Sequence, residues 1–179
     1  MKRSLFVSIL ALFIGGFFAL PLRADDTLAR FKGGIGVHPV SNFAGTANAD
    51  GSFPNVTRNV VRSINPAGQL WVIEDLDARV STNGDIKIRG KGLILAGGNS
   101  AGRATGQIVF ATLICEAAAP FTERNTNPAG VPVAANGDFN IDDVLTPLPA
   151  GECASPMLLI RSASGSGGTW FAVGIPSLD

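Results

Sequence analysis

Few side chains in this sequence are of types that carry chemistry, and their spacing narrows the choice further. Asp138-x-Asn140-x-Asp142 begins as a calcium loop does, with oxygen ligands at alternate positions. The pattern then departs, because Asp143 stands where such a loop needs glycine and Pro149 where it needs a bidentate glutamate. Glu74, Asp75 and Asp77 could supply the paired carboxylates of a glycoside hydrolase. On a strand, Asp75 and Asp77 point the same way about 7 Å apart. Arg79 continues that face, so a charge-balanced surface is the simpler expectation. His38 is the single histidine, in Gly-Val-His38-Pro-Val-Ser41, and the sole conventional base for a serine triad. Ser164 and Ser166 lie in Ser-Gly-Ser-Gly-Gly, which lacks the strand-to-helix frame of a nucleophile elbow. One histidine and two cysteines, spaced as no zinc pattern is, do not make a catalytic zinc site. The sequence therefore assigns no catalytic, metal or cofactor-binding residue, and a binding or structural module is the expectation. A carboxylate-based hydrolase acting on polysaccharide and a Ca²⁺-stabilised adhesive domain stand as alternatives.

The stretch Leu93-Ile-Leu-Ala-Gly-Gly-Asn-Ser-Ala-Gly102 has the look of a phosphate-binding loop. A dinucleotide fingerprint needs Gly-x-Gly-x-x-Gly opening a helix. Here Asn99 occupies the second glycine's place, and Gln107-Ile-Val-Phe-Ala-Thr-Leu-Ile-Cys115 follows as a strand. No helix N-terminus is offered to a pyrophosphate, and no Gly-Lys-Ser/Thr occurs. Nucleotide is not an expected ligand; the stretch reads as a connection between strands.

Residues 1–24 read as a signal peptide: a basic Met1-Lys-Arg-Ser4, an apolar run from Leu5 to Leu20, and a small-residue site ending at Ala24. No later run is long enough to cross a bilayer. A secreted or periplasmic location follows. Without Lys2, Arg3 and Arg23, the 14 basic residues become 11 against 14 acidic, a formal charge of −3 with no basic block. Nucleic acid is then a poor partner, since phosphate neutralisation needs clustered Lys and Arg; an extracellular partner or a glycan fits better. Cys115 and Cys153 most simply pair with each other in an oxidising compartment.

The elements that must position these residues are strands. No dozen residues after the leader carry helical periodicity unbroken by Gly or Pro, while alternation and short apolar runs are frequent. Asn65-Pro-Ala-Gly68 and Asn127-Pro-Ala-Gly130 are identical and suit type I turns. Each leads through a strand to Asn-Gly-Asp, at Asn83–Asp85 and Asn136–Asp138, and then to another strand. Three-residue loops ending in a left-handed Gly keep apolar opposite apolar in both hairpins. They set Val80 against Ile86 and Ala78 against Ile88, then Val133 against Phe139 and Val131 against Ile141. The pattern slips between Ile73 and Leu76, which a β-bulge near Glu74-Asp75 would explain, two short strands being the alternative. Residues 108–115 and 157–160 are apolar on both parities, as strands covered on both sides are. Trp71 and Trp170 open apolar strands and are expected to pack in the core or at a sheet edge. Residues 25–58 read as an irregular arm or loosely paired first strands, and 59–179 as a single all-β domain, an antiparallel β-sandwich with a barrel as the alternative.

From Asn65 to Ile175 the order of motifs resembles a group of small secreted bacterial proteins of unassigned function. It runs Asn-Pro-Ala-Gly-Gln-Leu-Trp-Val-Ile, Asn-Gly-Asp-Ile-Lys-Ile, Cys115, Asn-Gly-Asp-Phe-Asn-Ile, Cys153-Ala-Ser-Pro-Met-Leu-Leu-Ile and Trp170-Phe-Ala. The resemblance implies a secreted β-rich domain with paired cysteines, and no activity or ligand.

Overall fold

A computed structural model describes residues 26–164 and 168–177; the expected leader and Ser166 lie outside the described residues. Among the described residues the regular structure is all strand. In chain order the strands are β1 (Thr27–Gly36), β2 (Val40–Ala44), β3 (Asn55–Arg58), β4 (Trp71–Val72), β5 (Asp75–Ser81), β6 (Asp85–Lys91), β7 (Ile94–Leu95), β8 (Ile108–Ile114), β9 (Arg124–Asn125), β10 (Val131–Pro132), β11 (Phe139–Val144), β12 (Met157–Ser162) and β13 (Trp170–Pro176). No helix among the described residues is long and apolar enough to cross a membrane.

One antiparallel sheet dominates, in the order β10-β8-β12-β13-β1-β5-β6-β11, with β9 also on β8. Its terminal strands, β10 and β11, are neighbours in the chain. The short link between them is held by Ala134 N donating to Asp138 O at 2.8 Å and Gly137 N to Ala134 O at 2.8 Å. The sheet therefore curls until its ends nearly meet, which leaves little open edge and encloses one core.

The β5–β6 hairpin has the expected register, with Val80 opposite Ile86 and Ala78 opposite Ile88. Both strands alternate, exposing Asp75, Asp77 and Arg79 and burying Leu76, Ala78 and Val80. Gly84 closes the turn with φ +89, a conformation open to glycine. β8 and β12 are buried on both parities, as their unbroken apolar runs require. Val109, Ala111 and Leu113 lie directly beside Ser162, Ile160 and Leu158 on one face. On the other face Arg161 lies over the Phe110 ring, bonds Thr112 Oγ1 at 3.1 Å and pairs with Glu123. Trp71 and Trp170 are both buried, as core packing requires.

Three expectations are corrected. The second Asn-Gly-Asp segment does not make its own ladder: β11 pairs with β6, setting Phe139 against Gly90 and Ile141 against Ile88, while β10 pairs with β8. Pro132 has no N–H to give, and β6 offers β11 a six-residue ladder. Phe139 and Ile141 still point inward. The slip after Ile73 is a break between two strands and not a bulge. β4 pairs with β7, and β5 starts afresh at Asp75. Gly36 makes room for that departure, because a Cβ there would sit 2.1 Å from the Trp71 carbonyl oxygen. The segment 25–58, read as an arm, opens with β1, a ten-residue strand between β13 and β5 whose Phe31 is fully buried. Its register shifts between Phe31 and Gly34, which hides the alternation. Only β2 and β3 match loosely paired strands, as a two-stranded hairpin exposed along its whole length.

The Cys115–Cys153 bridge is present, tying the end of β8 to the approach to β12. Arg62 reinforces the same join, donating to Ile114 O at 2.9 Å and Ser155 O at 2.8 Å.

Candidate functional site

A cleft of about 660 Å³ opens where three connections converge. One wall is the run from Arg58 to Trp71. A second is the glycine-rich connection from β7 to β8. The third is the end of β12 with the start of β13. Its floor is the Trp71–Phe171 pair, rings 4.5 Å apart and tilted by 46°. Each is only 4% exposed, so the pair is a firm base and not a free stacking platform.

The first wall is built by the Asn65-Pro-Ala-Gly68 turn. Asn65 O accepts from Trp170 N at 3.0 Å and Trp170 O from Ala67 N at 3.0 Å, so the turn docks on β13. Its identical twin behaves differently: Gly130 N bonds Asn127 O at 2.9 Å and the turn closes on itself. The tetrapeptide is one local preference used in two ways, and tertiary pairing decides between them. From this wall Arg58 and Gln69 face the cleft, and Arg58 Nη2 donates to Pro66 O at 2.9 Å.

The second wall is the stretch that resembled a phosphate loop. It is a self-braced connection, with Gly102 N on Leu95 O at 2.8 Å and Leu95 N on Arg103 O at 3.1 Å. β8 follows it, as expected, with no helix. Ser100, Thr105 and Gln107 face the cleft. Thr105 has φ 55, a left-handed conformation that a β-branched residue adopts at a cost. Such strain concentrates where a side chain must be aimed. Here Thr105 Oγ1 accepts from Gln107 Nε2 at 3.3 Å, which ties the two side chains together on this wall. On the third wall Ser162 Oγ donates to Ser164 O at 3.0 Å. The side chains of Gln69, Ser100 and Thr169 make no hydrogen bond among the described residues. The polar part of the lining is thus a set of hydroxyls and amides with one guanidinium; no carboxylate, histidine or cysteine belongs to it among the described residues.

The residues singled out in the sequence for acid–base, nucleophilic or metal chemistry lie elsewhere, apart from Ser164 in the cleft lining. His38 is exposed on a loop, its carbonyl accepting from Asn59 Nδ2 at 3.0 Å. Glu74 is exposed, while Asp75 and Asp77 stand opposite Lys91 and Arg89 on the outer face of β5 and β6. Asp142 pairs with Lys87 at 2.9 Å, both exposed, and this contact raises the lysine pKa. Asp138 accepts from Gly92 N at 3.1 Å and from Asn136 Nδ2 at 2.9 Å. Asp143, the residue in the glycine place of the calcium pattern, accepts from Asn127 N at 2.7 Å. These carboxylates brace turns and ladders, and among the described residues no three metal-ligating side chains converge. Glu116 is the most perturbed carboxyl: its hydrogen bond from Arg124, at 2.9 Å, holds it at about 2.

What the sequence did not reveal is the group formed by Arg58, Gln69, Thr105 and Gln107. They come from the end of β3 and two different connections and have no motif in common. The molecule is thus an all-β, disulfide-bridged chain with a polar cleft, carrying the Arg58 guanidinium, at the convergence of its loops. No protein-family model matches it, and comparison with curated proteins and with solved structures finds no match.

Proposed function

We propose that the protein is a secreted, non-enzymatic binding module, and that its cleft holds a small polyhydroxylated ligand such as a glycan fragment. The observation that carries this reading is the lining. Side-chain amides and hydroxyls each donate and accept, as sugar hydroxyls do, and three of them have no partner among the described residues. The volume lies in the range of small-molecule sites. The absence of carboxylates and histidine from the lining, among the described residues, counts against acid–base chemistry at this place. The bridged cysteines and the leader-like first residues support an oxidising destination outside the cytoplasm. The resemblance to small secreted bacterial proteins is compatible with that location.

Thermal unfolding of the purified chain against a panel of oligosaccharides is the test. A ligand that binds the folded state alone adds about 2.7 kcal/mol at a hundredfold excess over its Kd, about 5–11 °C for a chain near this size. Gln107→Ala should abolish the shift without lowering the unliganded stability by more than about 1 kcal/mol. A panel without any shift counts against the cleft as a glycan site. Midpoints moved by Ca²⁺ and reversed by chelator would instead favour the adhesive-domain reading.

A further inference from the structure

We infer that the cleft's ligand is acidic: a glycan fragment carrying a carboxylate or sulfate group that seats on Arg58. This rests on the cleft being a glycan site and specifies which glycans it takes. Among the described residues Arg58 is the one charged side chain in the lining. Among the described residues it has no ion pair, its single hydrogen bond being the 2.9 Å contact from Nη2 to the Pro66 carbonyl. That bond fixes one arm of the guanidinium against the docked Asn65–Gly68 turn and leaves Nε and Nη1 uncommitted. Arg58 itself is exposed, and it differs in this from the two buried arginines among the described residues. Arg124 and Arg161 are each matched to a glutamate, Glu116 and Glu123. A cation kept without a counter-charge, in a cleft whose other groups are neutral, attracts an anion there. The planar fork suits a carboxylate or sulfate taken through two parallel bonds.

Two competing occupants fit less well. A nucleotide or other polyphosphate asks for several cations or a helix N-terminus, and one guanidinium with glycine-rich loops of this kind supplies neither. An extended peptide asks for a free strand edge. The backbone of the short β4–β7 pair is already engaged, with Trp71 N on Val37 O and Ala96 N on Leu70 O.

The experiment is calorimetric titration of the full chain with three probes: a trigalacturonate, its neutral methyl ester, and a sulfated galactose trisaccharide. The side-chain amide resonances of Gln69 and Gln107 are followed in parallel. At least one acidic probe should bind about tenfold or more tighter than the ester, the margin of a charge-assisted over a neutral hydrogen bond. Arg58→Gln should erase that margin, and Arg103→Gln, on the β7–β8 connection but outside the lining, should change nothing. Preference for the uronate or for the sulfate identifies which acidic group is read. Equal binding of ester and both acids, insensitive to Arg58→Gln, overturns the acidic inference and leaves the glycan site standing. Acid binding that leaves both glutamine amides unshifted places the acid elsewhere and also overturns it. Failure of all three probes overturns the glycan site and this inference together.

Discussion

Gly90→Ala probes the closure of the sheet. Gly90 lies on the inward face of β6, directly opposite Leu76 on one side and Phe139 on the other. A Cβ there would stand 2.1 Å from Phe139 Cε1 and 2.2 Å from Cζ, so the ring occupies the space a methyl group would need. Phe139 is 3% exposed and has no room to swing outward without opening the core. Overpacking of this kind costs about 1–3 kcal/mol, against about 0.5–1 kcal/mol that alanine gains over glycine in a strand. The expected net loss is about 1–2 kcal/mol. Phe139→Leu alone should also destabilise, through the gap it leaves. Combined, the smaller side chain vacates the space the new methyl needs, so the double variant should lose less than the two singles together, by about 0.5–2 kcal/mol. Urea unfolding of all four proteins measures this, with unchanged m-values certifying that the unfolded states are alike. Additivity within about 0.3 kcal/mol, or a stabilising Gly90→Ala, would refute the placement of Phe139 over Gly90. The β6–β11 register that closes the sheet would fall with it.

Three further outcomes are expected. Cys115→Ser with Cys153→Ser removes a cross-link between residues 38 apart; it should lower stability by about 4 kcal/mol in the chain-entropy model, and a loss under about 1 kcal/mol in denaturant titration would contradict that. Glu116, held at about 2 by Arg124, contributes stability that is complete above its ordinary value near 4.5 and is lost as pH falls toward 2. The full shift corresponds to about 3 kcal/mol, which solvent screening of the partly exposed carboxylate reduces to about 1 kcal/mol. The stability gap between the protein and Glu116→Gln should therefore be flat from pH 5 to 7 and close by pH 2; a gap independent of pH would refute the pairing. Thr105→Gly relieves a left-handed β-branched residue, so stability should hold or rise by up to about 1 kcal/mol while oligosaccharide affinity falls; a clear loss of stability would show that Thr105 is not strained.

The sequence disclosed the parts of this fold whose side-chain pattern matches their environment. β5 and β6 alternate because one face is wet and the other dry, and Gly84 marks the turn between them, so partners and register could be written down in advance. β8 and β12 are apolar throughout because both faces are covered. β1 escaped notice because Gly33 and Gly34 interrupt it at a register shift, and its inward residues are small apart from Phe31. The partner of β11 escaped because inward-facing Phe139 and Ile141 are satisfied equally by a local hairpin or by β6; the ladder length and Pro132 decide between them. The cleft was illegible for a different reason. Arg58, Gln69 and Gln107 are ordinary surface residues in sequence, and only the docking of Asn65–Gly68 on β13 brings their connections to one place.

The most direct measurement is an NMR titration of the isotopically labelled chain with acidic and neutral oligosaccharides, read at the side-chain amides of Gln69 and Gln107 and the indole N–H of Trp71. Saturable shifts at these groups, with Asn140 on the outer sheet face unmoved, are predicted. Resonances that stay still for every oligosaccharide, or that move only on the outer face, would contradict the assignment of the cleft as the binding site.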